Sequence, residues 1–253
     1  MDLGALAQAT PGILGADLAN VVNEAALLAA RRGHDRVQQG DLTDAIEKIV
    51  LGTERKVVQS EEDRRRIAYH EGGHAIVGML TPGADPVRKV SIIPRGQALG
   101  VTLSAPDADV FNYSEGYLRG KIKVAVGGRV AEEVAFGTIT TGAESDIQQA
   151  TMLARGMVGR WGMSEEVGFV AVEPMDGQSP FLPGAAPVSE ATQRLIDSEV
   201  RRIIDEAHDE VRGLLDRERD KLDALAAALL SEETLDEADA YRAAGIDRAA
   251  APA

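Results

Sequence analysis

Two of the four histidines in this 253-residue chain stand four positions apart, in His70-Glu71-Gly72-Gly73-His74. Four residues is just over one helical turn. On a helix both imidazoles therefore leave from one face and can share one zinc ion. Glu71 falls on the same rim, where it can take a proton from a water held by that zinc. The surrounding segment reads as a helix on independent grounds. Ser60-Glu61-Glu62-Asp63 is an N-terminal capping signature, Arg66, Tyr69, Ala75 and Val77 carry the helix to about Leu80, and Pro82-Gly83 stop it. The paired glycines each cost about 1 kcal/mol against Ala inside a helix. Close approach of another backbone is the expected compensation.

Zinc in a catalytic site needs a third protein ligand and an open fourth position. The chain has no cysteine, so thiolates and disulfides are excluded. His34 and His208 lie in unrelated segments, which leaves a carboxylate. Two places qualify. Glu132-Glu133 sit on a helix predicted from Ser114 through Val124, Val126, Val130 and Val134. Asp146, in Thr141-Gly142-Ala143-Glu144-Ser145-Asp146, opens another helix. The plain reading of the glutamate pair is a solvated helix face. That of Asp146 is first-turn stabilisation by the helix dipole. Spacing alone does not choose.

The rest of the chain reads as mainly helical. Leu18, Val21, Val22, Ala25, Leu28 and Ala29 recur at helical spacing before Gly33, and Asp41 with Asp44 marks the cap of a short helix carrying Ile46, Ile49 and Val50. Residues 51–60 read as a linker. Gln97–Ser104 alternates between Gly96 and Pro106, as an edge strand or a plain core strand would. Breakers from Pro174 to Pro187 make residues 173–189 a loop, either a flap or a connector. From Glu190 the helical period returns through Leu195, Ile203, Val211 and Leu215, then Leu222, Leu225 and Leu229; His208 reads as a surface residue. Glu232–Asp239 opens a last short helix, and 247–253 is an expected disordered tail. Lys+Arg 27 against Asp+Glu 41 leaves a net charge of −14, which excludes a nucleic-acid partner. No apolar run is long enough to enter a membrane. No phosphate loop occurs, so ATP hydrolysis by these residues alone is not expected.

Several blocks together resemble one family. Gly15-Ala16-Asp17-Leu18-Ala19-Asn20 with Asn23-Glu24-Ala25-Ala26 is similar to the helical lid of an AAA+ ATPase. Tyr69–Ala75, Lys89–Gly96 with Leu99-Gly100-Val101-Thr102, Gly127-Gly128-Arg129 with Ala131-Glu132-Glu133, Thr140–Ala143 with Asp146, and Arg160–Ser164 resemble, in order, the protease part of FtsH-type ATP-dependent zinc metalloproteases. The resemblance implies a helical AAA+ lid remnant over 1–50. It implies a mainly α zinc metalloprotease domain (peptidase M41-like) with a small β-sheet or hairpin over 61–246. It assigns one Zn²⁺ per chain to His70, His74 and Asp146, makes Glu71 the catalytic base and gives Glu132 a supporting role. Gly72 departs from the family's usual Ala. The resemblance further implies unfolded polypeptide substrates, a homo-hexamer, and protein quality control at the cytoplasmic face of the membrane. ATP and Mg²⁺ would act only in the full-length enzyme. With the phosphate loop and membrane anchor missing and Met1 inside the lid, truncation is expected, and the fragment itself is expected to be soluble. The competing expectation is a non-catalytic module that holds the hexameric ring.

Overall fold

The computed structural model describes residues 1–8, 10, 13–55, 57–96, 98–107, 110–172 and 188–248. In chain order the elements are helices α1 (Leu3–Gln8), α2 (Gly15–Arg32), α3 (Gln39–Leu51) and α4 (Glu61–Leu80), strands β1 (Val87–Ser91) and β2 (Val101–Ser104), helices α5 (Glu115–Phe136), α6 (Glu144–Gly159), α7 (Glu190–Arg217) and α8 (Arg219–Glu232), strand β3 (Thr234–Asp236) and helix α9 (Glu237–Ala244). This is the mainly helical architecture with a small sheet that was expected. The tail from residue 249, Gln97, and the breaker-rich stretch apart from Val188 and Ser189 lie outside the described residues. Among the described residues no helix is long and apolar enough to cross a membrane.

Helix α4 starts as its cap predicts, with the Ser60 hydroxyl accepting the Asp63 amide at 3.0 Å. From Ile67 to Met79 all but His70 are buried. A helix covered on every side belongs at the centre of a fold, not on its surface. α5 crosses it on one side, α8 packs on another, and α7 lies behind α5. Ile76, Met79, Ile122, Met157, Ile196, Ile203, Leu215, Leu222 and Leu225 fill the space between them. Aliphatic side chains dominate, in keeping with the scarcity of aromatics.

The sheet is antiparallel with order β2-β1-β3, so β2 is an edge. Val90 pairs with Thr102 on one side and Leu235 on the other. β3 corrects the expectation that Glu232–Asp239 simply opens a helix. Glu233, at φ 60°, turns the chain out of α8, Leu235 is buried against the core, and Asp236 caps α9 by accepting the Asp239 amide at 2.9 Å. Acidic composition signalled the cap but not the three residues of pairing before it.

A second, smaller core joins α2 and α3 through Val21, Ala25, Leu42, Ala45 and Ile46. α3 begins three residues earlier than a cap at Asp41 would place it, with Gln38 at the cap. Asp41 lies inside the helix and reaches back to accept the Gln38 amide at 2.9 Å, completing a capping box. Its buried carboxylate also meets His34 Nδ1 at 2.9 Å and the Arg32 guanidinium at 2.8 Å. The backbone bond and the His34 and Arg32 contacts outweigh desolvation and hold its carboxyl down at about 2. A lowered folded-state pKa means stability present above the unfolded value near 3.8 and lost as pH falls through about 2. The acid unfolding of α2–α3 is therefore expected to move to higher pH in Asp41→Asn, as read from amide exchange of those helices. An unchanged acid limb would refute this.

Candidate metal centre

α4 and α5 approach closely because two glycines face each other. A Cβ on Gly73 would lie 2.4 Å from Gly127 O and 2.5 Å from Ala131 Cβ, and one on Gly127 would lie 3.0 Å from Gly73 O. The backbone contact expected from the glycine pair is thus made by Gly73. Gly72 meets only the Leu222 Cδ1 methyl, at 3.2 Å. One residue on from this contact, Gly128 lies over the histidines, where a Cβ would sit 2.5 Å from His74 Nε2 and 2.6 Å from His70 Nε2.

The structure brings His70, His74 and Asp146 together. His70 Nε2 is 3.1 Å from His74 Nε2 and 3.2 Å from Asp146 Oδ2, and His74 Nε2 is 3.4 Å from the same oxygen. Tetrahedral zinc with bonds of about 2.0–2.1 Å needs donor–donor edges of about 3.3 Å. The other ring nitrogens are already used. His74 Nδ1 donates to Val124 O at 2.7 Å, and His70 Nδ1 donates to Glu132 Oε1 at 2.9 Å. Both partners only accept, so each neutral ring presents its Nε2 lone pair to the centre. Two lone pairs and a carboxylate facing one another repel unless a cation lies among them. Donor type and spacing both fit one zinc-sized ion.

Asp146 reaches the histidines from the first turn of α6, after a 3-10 turn at Thr141–Ala143. Thr140 caps that turn by accepting the Gly142 amide at 3.2 Å, and donates to Glu132 Oε1 at 3.2 Å. Glu132 is 2% exposed and also takes Arg66 at 3.4 Å. It is therefore no solvated face, because α5 is covered by α4 on this side. Glu133 points the other way, to His208 Nε2 at 2.9 Å and toward Arg129 and Arg212. His208, expected at the surface, is half-buried in that cluster. His34 belongs to the α2–α3 unit.

Glu71 lies beside the histidines and is 7% exposed. Burial pushes its carboxyl above the ordinary value, against the pull of His74, His70 and the Thr102 hydroxyl. Burial alone would lower His70, but Asp146 and Glu132 outweigh it and raise the imidazole to about 10. Burial would raise Asp146, but the two imidazoles hold it well below the carboxylate range. The sequence reading gave no role to Thr102, Thr140 and Gly128, which the structure places against Glu71, Glu132 and the two imidazoles. For Thr102 a signal existed: Gly100 and Thr102 stand two apart in the stretch expected as a strand, where they would share a face.

A buried acid next to two imidazoles and an aspartate set for one ion is the arrangement of a metalloendopeptidase. Residues 57–242 match peptidase family M41, and residues 1–44 match the AAA+ lid domain. The chain belongs to peptidase family M41. It is 69% identical over 247 residues to the ATP-dependent zinc metalloprotease FtsH 3 of Conexibacter woesei, covering 98% of this chain and 33% of that protein. The ATP-dependent zinc metalloprotease FtsH of Thermobaculum terrenum is 61% identical over 242 residues (94% and 37%). That of Syntrophus aciditrophicus is 56% identical over 255 residues (98% and 34%). The chain spans about a third of the length of these relatives.

Proposed function

We propose that this chain hydrolyses peptide bonds in unfolded polypeptides at one zinc ion held by His70, His74 and Asp146, with Glu71 as the base. The observation that carries this is the triangle of donor atoms with edges of 3.1, 3.2 and 3.4 Å beside a buried glutamate. Bound zinc supplies Lewis acidity, polarising the scissile carbonyl and making a water acidic near neutral pH. Glu71 accepts the proton of the attacking water at a carboxylate oxygen and returns it to the leaving amine nitrogen. Glu132 keeps the His70 ring oriented through Nδ1, and Val124 O does the same for His74. The free edge of β2 offers backbone groups to an extended substrate. Chelator-reversible cleavage of unfolded casein, with zinc counted per chain, tests the reading. Cleavage that survives complete zinc removal would overturn it.

The domain reading belongs with this: a lid unit over 1–50, a linker over 51–60, a protease domain over 61–246 and a tail over 247–253. The lid match and the relatives' name support an ATP-dependent assembly, read here as a homo-hexamer at the cytoplasmic membrane face serving protein quality control. ATP and Mg²⁺ would act in an ATPase core of the whole enzyme.

Asp146→Asn is expected to weaken zinc retention more than Glu132→Gln, which acts through His70 and is expected to cost about 10–100-fold in affinity. Chelator competition followed by elemental analysis measures both. Normal zinc in Asp146→Asn with loss in Glu132→Gln would reverse the ligand assignment.

A further inference from the structure

We propose that Thr102 is a positioning residue for Glu71, its hydroxyl on the edge strand holding one carboxylate oxygen while the bare backbone at Gly100 makes room for the other. This rests on Glu71 being the base. Thr102 Oγ1 is 2.8 Å from Glu71 Oε2 and 2.9 Å from the carbonyl oxygen of the same residue. A hydroxyl carries one proton, so it serves one of these acceptors at a time. Among the described residues, Thr102 is the donor that the Glu71 carboxylate has. On the other side a Cβ at Gly100 would lie 2.7 Å from Glu71 Oε1, 2.8 Å from its Cγ and 2.9 Å from Ile67 Cγ2. The carboxylate thus lies between Thr102 of β2 and Gly100, just before the strand begins. Glutamate has three rotatable side-chain bonds, and without such a grip its carboxylate would spread over several rotamers.

The strand that aims the base packs on α4 and, among the described residues, pairs with another strand on one side. Thr102 pairs with Val90 of β1, which is fully buried, and among the described residues the opposite edge of β2 has no strand neighbour. An extended peptide seated on that edge would bear on the strand that orients Glu71. Seating of substrate and aim of the base then depend on one element.

Thr102→Val keeps the shape and removes the hydroxyl, whereas Thr102→Ser keeps the hydroxyl. In the zinc-loaded full chain, cleaving an unstructured fluorogenic peptide, Thr102→Val is expected to lower kcat by up to about 10²-fold, the cost of a misplaced catalytic group. KM and zinc per chain stay at parental values. Thr102→Ser is expected to recover kcat to within a few-fold. Parental kcat in Thr102→Val, or equal losses in both variants, would overturn the proposal. Crystal structures of both variants give a reading independent of activity. A displaced or multiply placed Glu71 carboxylate in the Val variant, and a single parental position in the Ser variant, supports it; one unmoved position in both overturns it. Glu71→Gln in the same assay separates the two levels. If that variant cleaves at the parental rate, the base assignment fails, while the crystallographic comparison still decides whether Thr102 holds the side chain.

Discussion

Glu71→Gln is expected to keep its zinc and lose about 10²–10⁴-fold in kcat. The amide has nearly the shape of the carboxylate, and its oxygen can still accept from Thr102, so the side chain stays where it is. What it cannot do is take a proton from water. The donor atoms His70 Nε2, His74 Nε2 and Asp146 Oδ2 are untouched, and so are the Glu132 and Val124 contacts that orient the rings. Loss of turnover without loss of metal separates the base from the ligands. Casein hydrolysis and zinc per chain, measured on one preparation, decide it. Parental turnover at full zinc would remove Glu71 from the chemistry.

The neighbouring glycines are expected to respond in opposite ways to the same substitution. Gly73→Ala drives a methyl to within 2.4 Å of a backbone oxygen, which no rotamer change relieves. α5 must move away from α4. Overpacking of this kind costs about 3 kcal/mol or more. For a chain of this size that is a fall in Tm of about 6–12 °C. Moving α5 also shifts Val124, Gly128 and Glu132 together, so zinc retention falls with stability. Gly72→Ala meets only a leucine methyl and gains the helix propensity of alanine, so it stays within about 1 kcal/mol of the parent. Thermal unfolding of the two variants side by side is the test. Equal melting temperatures would show that the crossing is not held by Gly73.

Helix α4 was legible in detail. Its cap, its stop, the one-face placement of His70 and His74 and the neighbouring position of Glu71 all follow from spacing within a few residues. The strand expected over Gln97–Ser104 was legible in part: β2 covers Val101–Ser104 and lies at an edge, one of the two placements left open, while its pairing came from the family resemblance. β3 was not, because three residues of pairing leave no periodicity, and their partner lies well over a hundred residues away in β1. The capping box of α3 was half legible. The acidic residue was noticed, but its direction of reach was not.

What the sequence by itself determined is the pair of imidazoles with their acid, and the mainly helical class of the fold. These depend on helical pitch and capping, which act locally. The tertiary structure decided which carboxylate faces the imidazoles and which turns away. Asp146 and Glu132 approach His70 from 76 and 62 residues along the chain, so no local rule encodes their direction. Only the crossing at Gly73 and Gly127 brings α5 near enough for Glu132 to reach the outer ring nitrogen. The Thr140 turn is then bonded to Glu132, and Asp146 follows it on the metal side.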